Sequence, residues 1–306
     1  MADRAARFSN TTNLEVTVHF GCNLKCTHCM IEGTMDWLNP ETDRDIAALF
    51  AQNATTRQWS GVTLTGSEVT LRADLPAIAR LARASGFEHV RIQTHGMRLA
   101  DVAYCHTLVD AGIDEFFVSL TAADAAAHDA ITGVPGSFER TVRGLENLDQ
   151  IAGVATATNT VITRRSFTHL PLVVTRLAHL KRLLRHEFWA YFPMNEVDVR
   201  DLLVQHAEVL PYLRAAIEAA AHRDVDVAVK NFPECLLGQD RAALDNSQPK
   251  LVIDPEFWPE FMRNGFHQCA FRATCQSKQC LGLNSAYIAK FGWERDLLRP
   301  FVVEPQ

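Results

Sequence analysis

The sequence predicts an α/β fold, a partial (β/α)6 TIM-like barrel followed by a small irregular C-terminal domain, and three observations carry that reading. Short β-rich runs alternate with amphipathic stretches from residue 14 to about 230, as βα units around a parallel sheet require. Three cysteines, Cys22, Cys26 and Cys29, directly follow the first of these runs, on the kind of strand-end loop where barrels carry their chemistry. After Ala221 the rhythm is lost. One further strand, Val225–Val229, is broken by Asn231-Phe232-Pro233, and the remainder mixes aromatic residues, Pro, Gly and four cysteines. The expected division is residues 1–230 for the barrel and 231–306 for the appended domain.

Strands are expected at Leu14–Phe20, Gly61–Thr65, His89–Thr94, Glu115–Leu120, Val154–Ile162 and Glu187–Phe192, each short and rich in β-branched or aromatic residues. Between them the helices are punctuated by their own start and stop residues. Asp74 and Pro76 open one that Gly86 closes, and Ser137 opens another ahead of Phe138–Leu148. Pro171 and Pro211 sit near the starts of helices expected over Thr168–Leu180 and His206–Ala221. The Ala-rich run Ala122–Ala127 reads as helix, and no internal repeat is visible.

A chain of 306 residues can bury a large core, and its 47% hydrophobic and 22% charged residues are ordinary for a globular protein. The net charge of −6, with Lys and Arg scattered along the chain, gives no basis for binding nucleic acid or an anionic membrane. Met1–Ser9 is polar and lacks the apolar core of a signal peptide, and no stretch is apolar for as long as a membrane span needs. A cytoplasmic location is expected. In a reducing compartment, clustered cysteines are more often metal ligands than disulfides. Cys105, alone in an expected helix, reads as a small buried hydrophobe.

Cys22, Cys26 and Cys29 can point three thiolates at one spot, which suits an iron–sulfur cluster or zinc and leaves one ligand position open. Cys235, Cys269, Cys275 and Cys280 are separated by 33, 5 and 4 residues. Four thiolates can close a 4Fe-4S cluster or a tetrahedral zinc site.

The loop Gly21-Cys22-Asn23-Leu24-Lys25-Cys26-Thr27-His28-Cys29 resembles the signature of the radical S-adenosylmethionine (SAM) superfamily. Other strand ends support the resemblance. Gly66-Ser67-Glu68-Val69 is similar to the family's Gly-Gly-Glu-Pro segment, with Ser67 and Val69 departing from it, and Thr94-His95-Gly96 is similar to its Thr-Asn-Gly turn. The resemblance implies a 4Fe-4S cluster on Cys22, Cys26 and Cys29, with SAM chelated by the open iron and split reductively to a 5′-deoxyadenosyl radical that takes a hydrogen from substrate. It implies SAM contacts at Gly66, Ser67, Glu68, Thr94, His95, Ser119 and Asn159. His28 stands where relatives carry an aromatic ring near adenine, and Phe192 lies in the region whose backbone meets adenine. Phe232-Pro233-Glu234-Cys235 and Cys280-Leu281-Gly282 are similar to the auxiliary-cluster extensions called SPASM and Twitch, which implies a second 4Fe-4S cluster on Cys235, Cys269, Cys275 and Cys280.

The expected function is hydrogen abstraction from a small molecule or short peptide, in natural-product biosynthesis, with electrons from a flavodoxin- or ferredoxin-type donor. No segment before Leu14 is long enough for a leader-binding domain, which favours a small metabolite or a leader-independent peptide over a precursor peptide. The alternatives are a peptide-modifying enzyme of the same superfamily and a non-catalytic iron–sulfur or zinc protein that keeps the barrel. Several residues also have plainer readings. Glu68 can be a solvated loop carboxylate, and His95 can reach substrate or a neighbouring carbonyl. Phe257, Trp258 and Phe261 are expected to form a small C-terminal core, Arg164-Arg165 a solvated face, and His206 and His222 surface positions.

Overall fold

The computed structural model describes residues 10–31, 33 and 35–302, so the polar stretch Met1–Ser9 and the ends of the two expected domains lie outside the described residues. Eight parallel strands form one open sheet: β1 (Asn13–His19), β2 (Gly61–Gly66), β3 (His89–Thr94), β4 (Glu115–Ser119), β5 (Ala155–Ile162), β6 (Leu183–Ala190), β7 (Asp226–Lys230) and β8 (Lys250–Val252). Their order across the sheet is β7-β6-β5-β4-β3-β2-β1-β8. The helices are α1 (Asp43–Thr56), α2 (Leu75–Ala84), α3 (Val102–Asp110), α4 (Ala125–Thr132), α5 (Ser137–Asp149), α6 (Leu170–Arg176), α7 (His206–Ala221), α8 (Glu234–Leu237), α9 (Phe257–Asn264) and α10 (Ser285–Phe291).

The six expected barrel strands are all present, and the seventh matches Val225–Val229 to within a residue. Two details change. β6 runs from Leu183 to Ala190, so Tyr191 and Phe192 leave the strand and enter the loop at the barrel mouth. β8 was not expected, because Lys250-Leu251-Val252 is too short to show a period. It pairs in parallel with β1 through Glu15↔Leu251 and so extends the sheet to eight strands.

Alternation along each strand sorts the side chains. Leu14, Val16 and Val18 of β1, Val62 and Leu64 of β2, and Val90 and Ile92 of β3 join the helices in the main buried cluster. Each such Leu, Ile or Val contributes about 1.5–3 kcal/mol by leaving water. The alternate positions form a polar row across the opposite face, Glu15–Thr63–Arg91–Glu115, in register over four strands. Arg91 Nε donates to Glu115 Oε2 at 2.9 Å, which pairs the buried charges. Cys105 is fully buried and its sulfhydryl donates to the Leu99 carbonyl at 3.1 Å.

The division at residue 230 is a proposal about chain organisation, since packing runs across it. Phe232, Leu237, Leu283 and Tyr287 share one buried cluster with Phe188, Leu213 and Val229. Nor do Phe257 and Phe261 form a core of their own. They pack on Met35, Leu38, Phe192 and Met194 beside the cysteine loop, while Trp258 is 44% exposed. No helix among the described residues is long and apolar enough to cross a membrane.

Candidate metal and cofactor site

The loop after β1 is tied down on several sides. Lys25 N–H donates to the Thr132 carbonyl and Thr27 N–H to the Ile131 carbonyl, both at 2.9 Å, which fastens the loop to the end of α4. Arg200 Nη1 donates to the carbonyls of Thr27 (3.3 Å) and Cys29 (2.6 Å). Cys29 N–H closes a turn on the Cys26 carbonyl at 3.0 Å, and Leu24 N–H points at Cys22 Sγ at 3.4 Å. Cys22 is exposed and Cys26 and Cys29 are half-buried, and none is in a disulfide. Thr27 Oγ1 is buried with no hydrogen-bond partner among the described residues.

The segment after β2 is stitched to that loop by backbone. Ser67 N–H donates to the His19 carbonyl at 2.8 Å and Glu68 N–H to the Gly21 carbonyl at 3.0 Å. Only glycine permits this at position 66, where φ is +135° and a Cβ would lie 1.8 Å from the His19 oxygen.

Glu68 is fully buried, so the reading of a solvated loop carboxylate is overturned. Its Oε1 accepts from Thr70 N–H (3.1 Å), Thr70 Oγ1 (2.5 Å) and Thr94 Oγ1 (2.6 Å), and its Oε2 accepts from His95 N–H at 2.8 Å. His95 Nε2 lies 3.2 Å from the same Oε2 and 2.7 Å from Asn23 Oδ1. Its Nδ1 accepts from Met97 N–H at 3.2 Å. Burial lowers the His95 pKa, with Glu68 opposing, so the ring is neutral with its proton on Nε2. Glu68, Thr94 and His95 are thus bonded to one another, and the carboxylate braces the two strand ends.

Ser119, the last residue of β4, faces Asn159 in the middle of β5 in register. Asn159 is 6% exposed, and its Oδ1 is buried with no partner among the described residues. Such an orphan acceptor fits a bound polar group. His28 and Phe192 line one pocket with Cys29, Tyr191 and Arg200, and Phe192 is stacked on Phe266 at 4.3 Å. Burial, then Arg200 and His128, lowers the His28 pKa to about 4, so a neutral imidazole fills the position expected for an aromatic ring. Ser67 is half-buried.

Cys235, Cys269, Cys275 and Cys280 line one pocket, with Phe271, Leu283, Leu298 and Phe301 among its walls. Phe271 N–H points at Cys269 Sγ (3.4 Å) and Gly282 N–H at Cys280 Sγ (3.3 Å). Burial raises the pKa of Cys235, and the other three sulfurs push it the same way. Among the described residues, no group of three or more His, Cys, Asp or Glu side chains is arranged for a bare metal ion.

His206 is a correction. It is 6% exposed rather than on the surface, and its Nδ1 pairs with Glu294 Oε2 at 2.9 Å, while Tyr287 OH donates to the same oxygen at 2.8 Å and accepts from His206 N–H. His222 is exposed, as expected. Asn23, Arg200 and Glu294 escape sequence reasoning. Of these, Asn23 alone carries a signal, a polar side chain between two ligand cysteines.

The structure thus places a loop with three thiols directly after the first strand of a parallel α/β sheet. Residues 16–165 match the family model described as Radical SAM superfamily, so this part of the chain is a Radical SAM domain. A protein of Saccharolobus solfataricus named "Probable GTP 3′,8-cyclase" is 34% identical over 166 residues, 54% of this chain and 52% of that protein. The chain spans about half the length of the curated relatives it matches. Two solved structures show the same fold at low identity. Streptococcus suis SuiB bound to precursor peptide SuiA has a TM-score of 0.58 at 16% identity, covering 94% of this chain and 66% of that one. Native anSMEcpe with bound AdoMet has a TM-score of 0.58 at 15% identity, covering 86% of this chain and 69% of that one.

Proposed function

We propose that the chain holds a 4Fe-4S cluster on Cys22, Cys26 and Cys29, binds SAM beside it and takes a hydrogen atom from a small molecule or short peptide. Bound together, cluster and SAM supply reductive cleavage of the sulfonium and a carbon radical strong enough for that abstraction. The observation that carries the reading is the backbone stitching of Ser67 and Glu68 to His19 and Gly21, which brings the SAM-type segment against the cysteine loop. The protein's part is to hold and orient. Glu68 fixes the β2 and β3 ends, Ser119 and Asn159 offer polar contacts to SAM, and Phe192 with neutral His28 gives an apolar wall that excludes water. A flavodoxin- or ferredoxin-type protein would supply the electron.

The four-thiol pocket supports a second 4Fe-4S cluster in a SPASM- or Twitch-like extension. Four thiols lining one pocket are the number that a fully protein-ligated cluster requires. All four ligands come from protein, so this cluster would carry electrons or shape the extension. The named relatives favour a second reading, with GTP as substrate. Their identity covers about half of this chain.

Anaerobic reconstitution with iron, sulfide, SAM and dithionite tests the proposal, with 5′-deoxyadenosine as the expected product. A chain loaded with iron that yields none would sink it. Adding GTP separates the substrate readings: a rise in 5′-deoxyadenosine with GTP supports the second, and no change supports another substrate.

A further inference from the structure

The cysteine loop and the Glu68 segment are joined by a side-chain bridge as well as by backbone. We propose that His95 is a positioning residue that links the buried Glu68 carboxylate to Asn23, so that the cluster-bearing loop and the SAM-type segment are set as one unit. The inference rests on the proposed function and adds to it a device that no comparison assigns.

The ring is held at both ends. Its Nδ1 accepts from Met97 N–H at 3.2 Å, which leaves the proton on Nε2. That proton has two acceptors, Asn23 Oδ1 at 2.7 Å and Glu68 Oε2 at 3.2 Å. Glu68 Oε2 in turn accepts from His95 N–H at 2.8 Å, so the carboxylate grips the residue at backbone and ring together. Asn23 stands between Cys22 and Cys26, two residues ahead of the point where Lys25 fastens the loop to α4. An imidazole carries an acceptor and a donor on opposite sides of a rigid ring, which the carboxamide of the family's Asn at this turn does not. His95 is 9% exposed, and the same geometry also describes a merely satisfied core histidine. The distinction lies in whether the bond to Asn23 affects the loop.

The test is a double-mutant cycle of Asn23→Ala and His95→Ala on anaerobically reconstituted full chain. It measures the rate at which a chelator strips iron from the first site and the electron paramagnetic resonance signal of the reduced protein with and without SAM. Asn23 is exposed, so Asn23→Ala leaves the fold standing even if His95→Ala does not, and His95→Gln supplies a milder ring replacement. Each single variant is expected to speed iron loss about tenfold and to blunt the SAM-dependent change in the signal. The double variant is expected to be no worse than either single, as for residues acting through one bond. Multiplicative effects, or Asn23→Ala with wild-type iron retention and signal, overturn the role of His95 alone. Iron content unchanged by Cys26→Ala overturns the proposed function and this inference with it.

Discussion

Cys22, Cys26 and Cys29 lie on one loop, braced from β2, β3, α4 and Arg200, whereas Cys235 comes from α8 and Cys269, Cys275 and Cys280 from the irregular segment between α9 and α10, and the four line one pocket. The first site is therefore local in its thiols, although the side-chain hydrogen bonds that brace its loop reach 72 to 173 residues along the chain. The second is non-local and depends on contacts such as His206–Glu294, 88 residues apart. The comparison teaches that damage to the extension should spare the first site more than the reverse.

The largest effect expected is from Cys26→Ala. It should abolish SAM cleavage and lower iron by about four atoms per chain, the content of one 4Fe-4S cluster. Cys275→Ala should remove a similar amount of iron but retain part of the cleavage. Iron analysis and 5′-deoxyadenosine formation measure both, and equal loss of cleavage in the two variants would contradict the separation of the sites.

Gly66→Ala should be next. A Cβ 1.8 Å from the His19 oxygen, at a φ of +135°, forces the β2 end away from the cysteine loop. A cost of about 3 kcal/mol is expected from strain of this kind, read as a lowered midpoint in denaturant with the first site losing iron before the second.

Acid should weaken the barrel through His128 and His186, both buried and held near a pKa of about 4 by desolvation. Unfolded histidine titrates near 6.5, so the fold favours the neutral ring. Its contribution is complete above that pH and is lost as pH falls from about 6.5 through about 4. Between pH 7 and pH 5 the loss is about 2 kcal/mol per ring. Denaturant titrations of wild type and His186→Gln check it, since the variant should show a shallower slope. An unchanged slope would assign the acid sensitivity elsewhere.

Much of this was legible in the chain, and the exceptions have a common cause. The barrel strands show because β-branched runs of five to eight residues carry a period. β8 does not, because three residues cannot. Gly66, Glu68 and the cysteines are visible as residues of a SAM-type site, but the burial of Glu68 is not, because its partners Thr94 and His95 come from the end of another strand. His206 looked exposed because a helix start with polar neighbours is usually wet, and its partner Glu294 lies in a different region of the sequence. Local signals reveal local sites, and buried polar pairs across the sheet are set by topology.

The smallest effect separates the two sites most cleanly. Glu294 accepts from both His206 and Tyr287, and the turn it begins carries Leu298, a wall of the four-thiol pocket. Glu294→Gln keeps the volume and an acceptor oxygen but removes the charge, which should cost about 1 kcal/mol, the difference between charge-assisted and neutral hydrogen bonds. Tyr287 and α10 would then hold the extension less firmly, so the second site should release iron to a chelator several-fold faster. The cysteine loop is braced by α4, Glu68 and Arg200, so its iron retention and SAM cleavage are expected to stay near wild-type values. Equal acceleration at both sites would mean that the extension braces the cysteine loop as well, and the contrast between a local and a non-local site would fail.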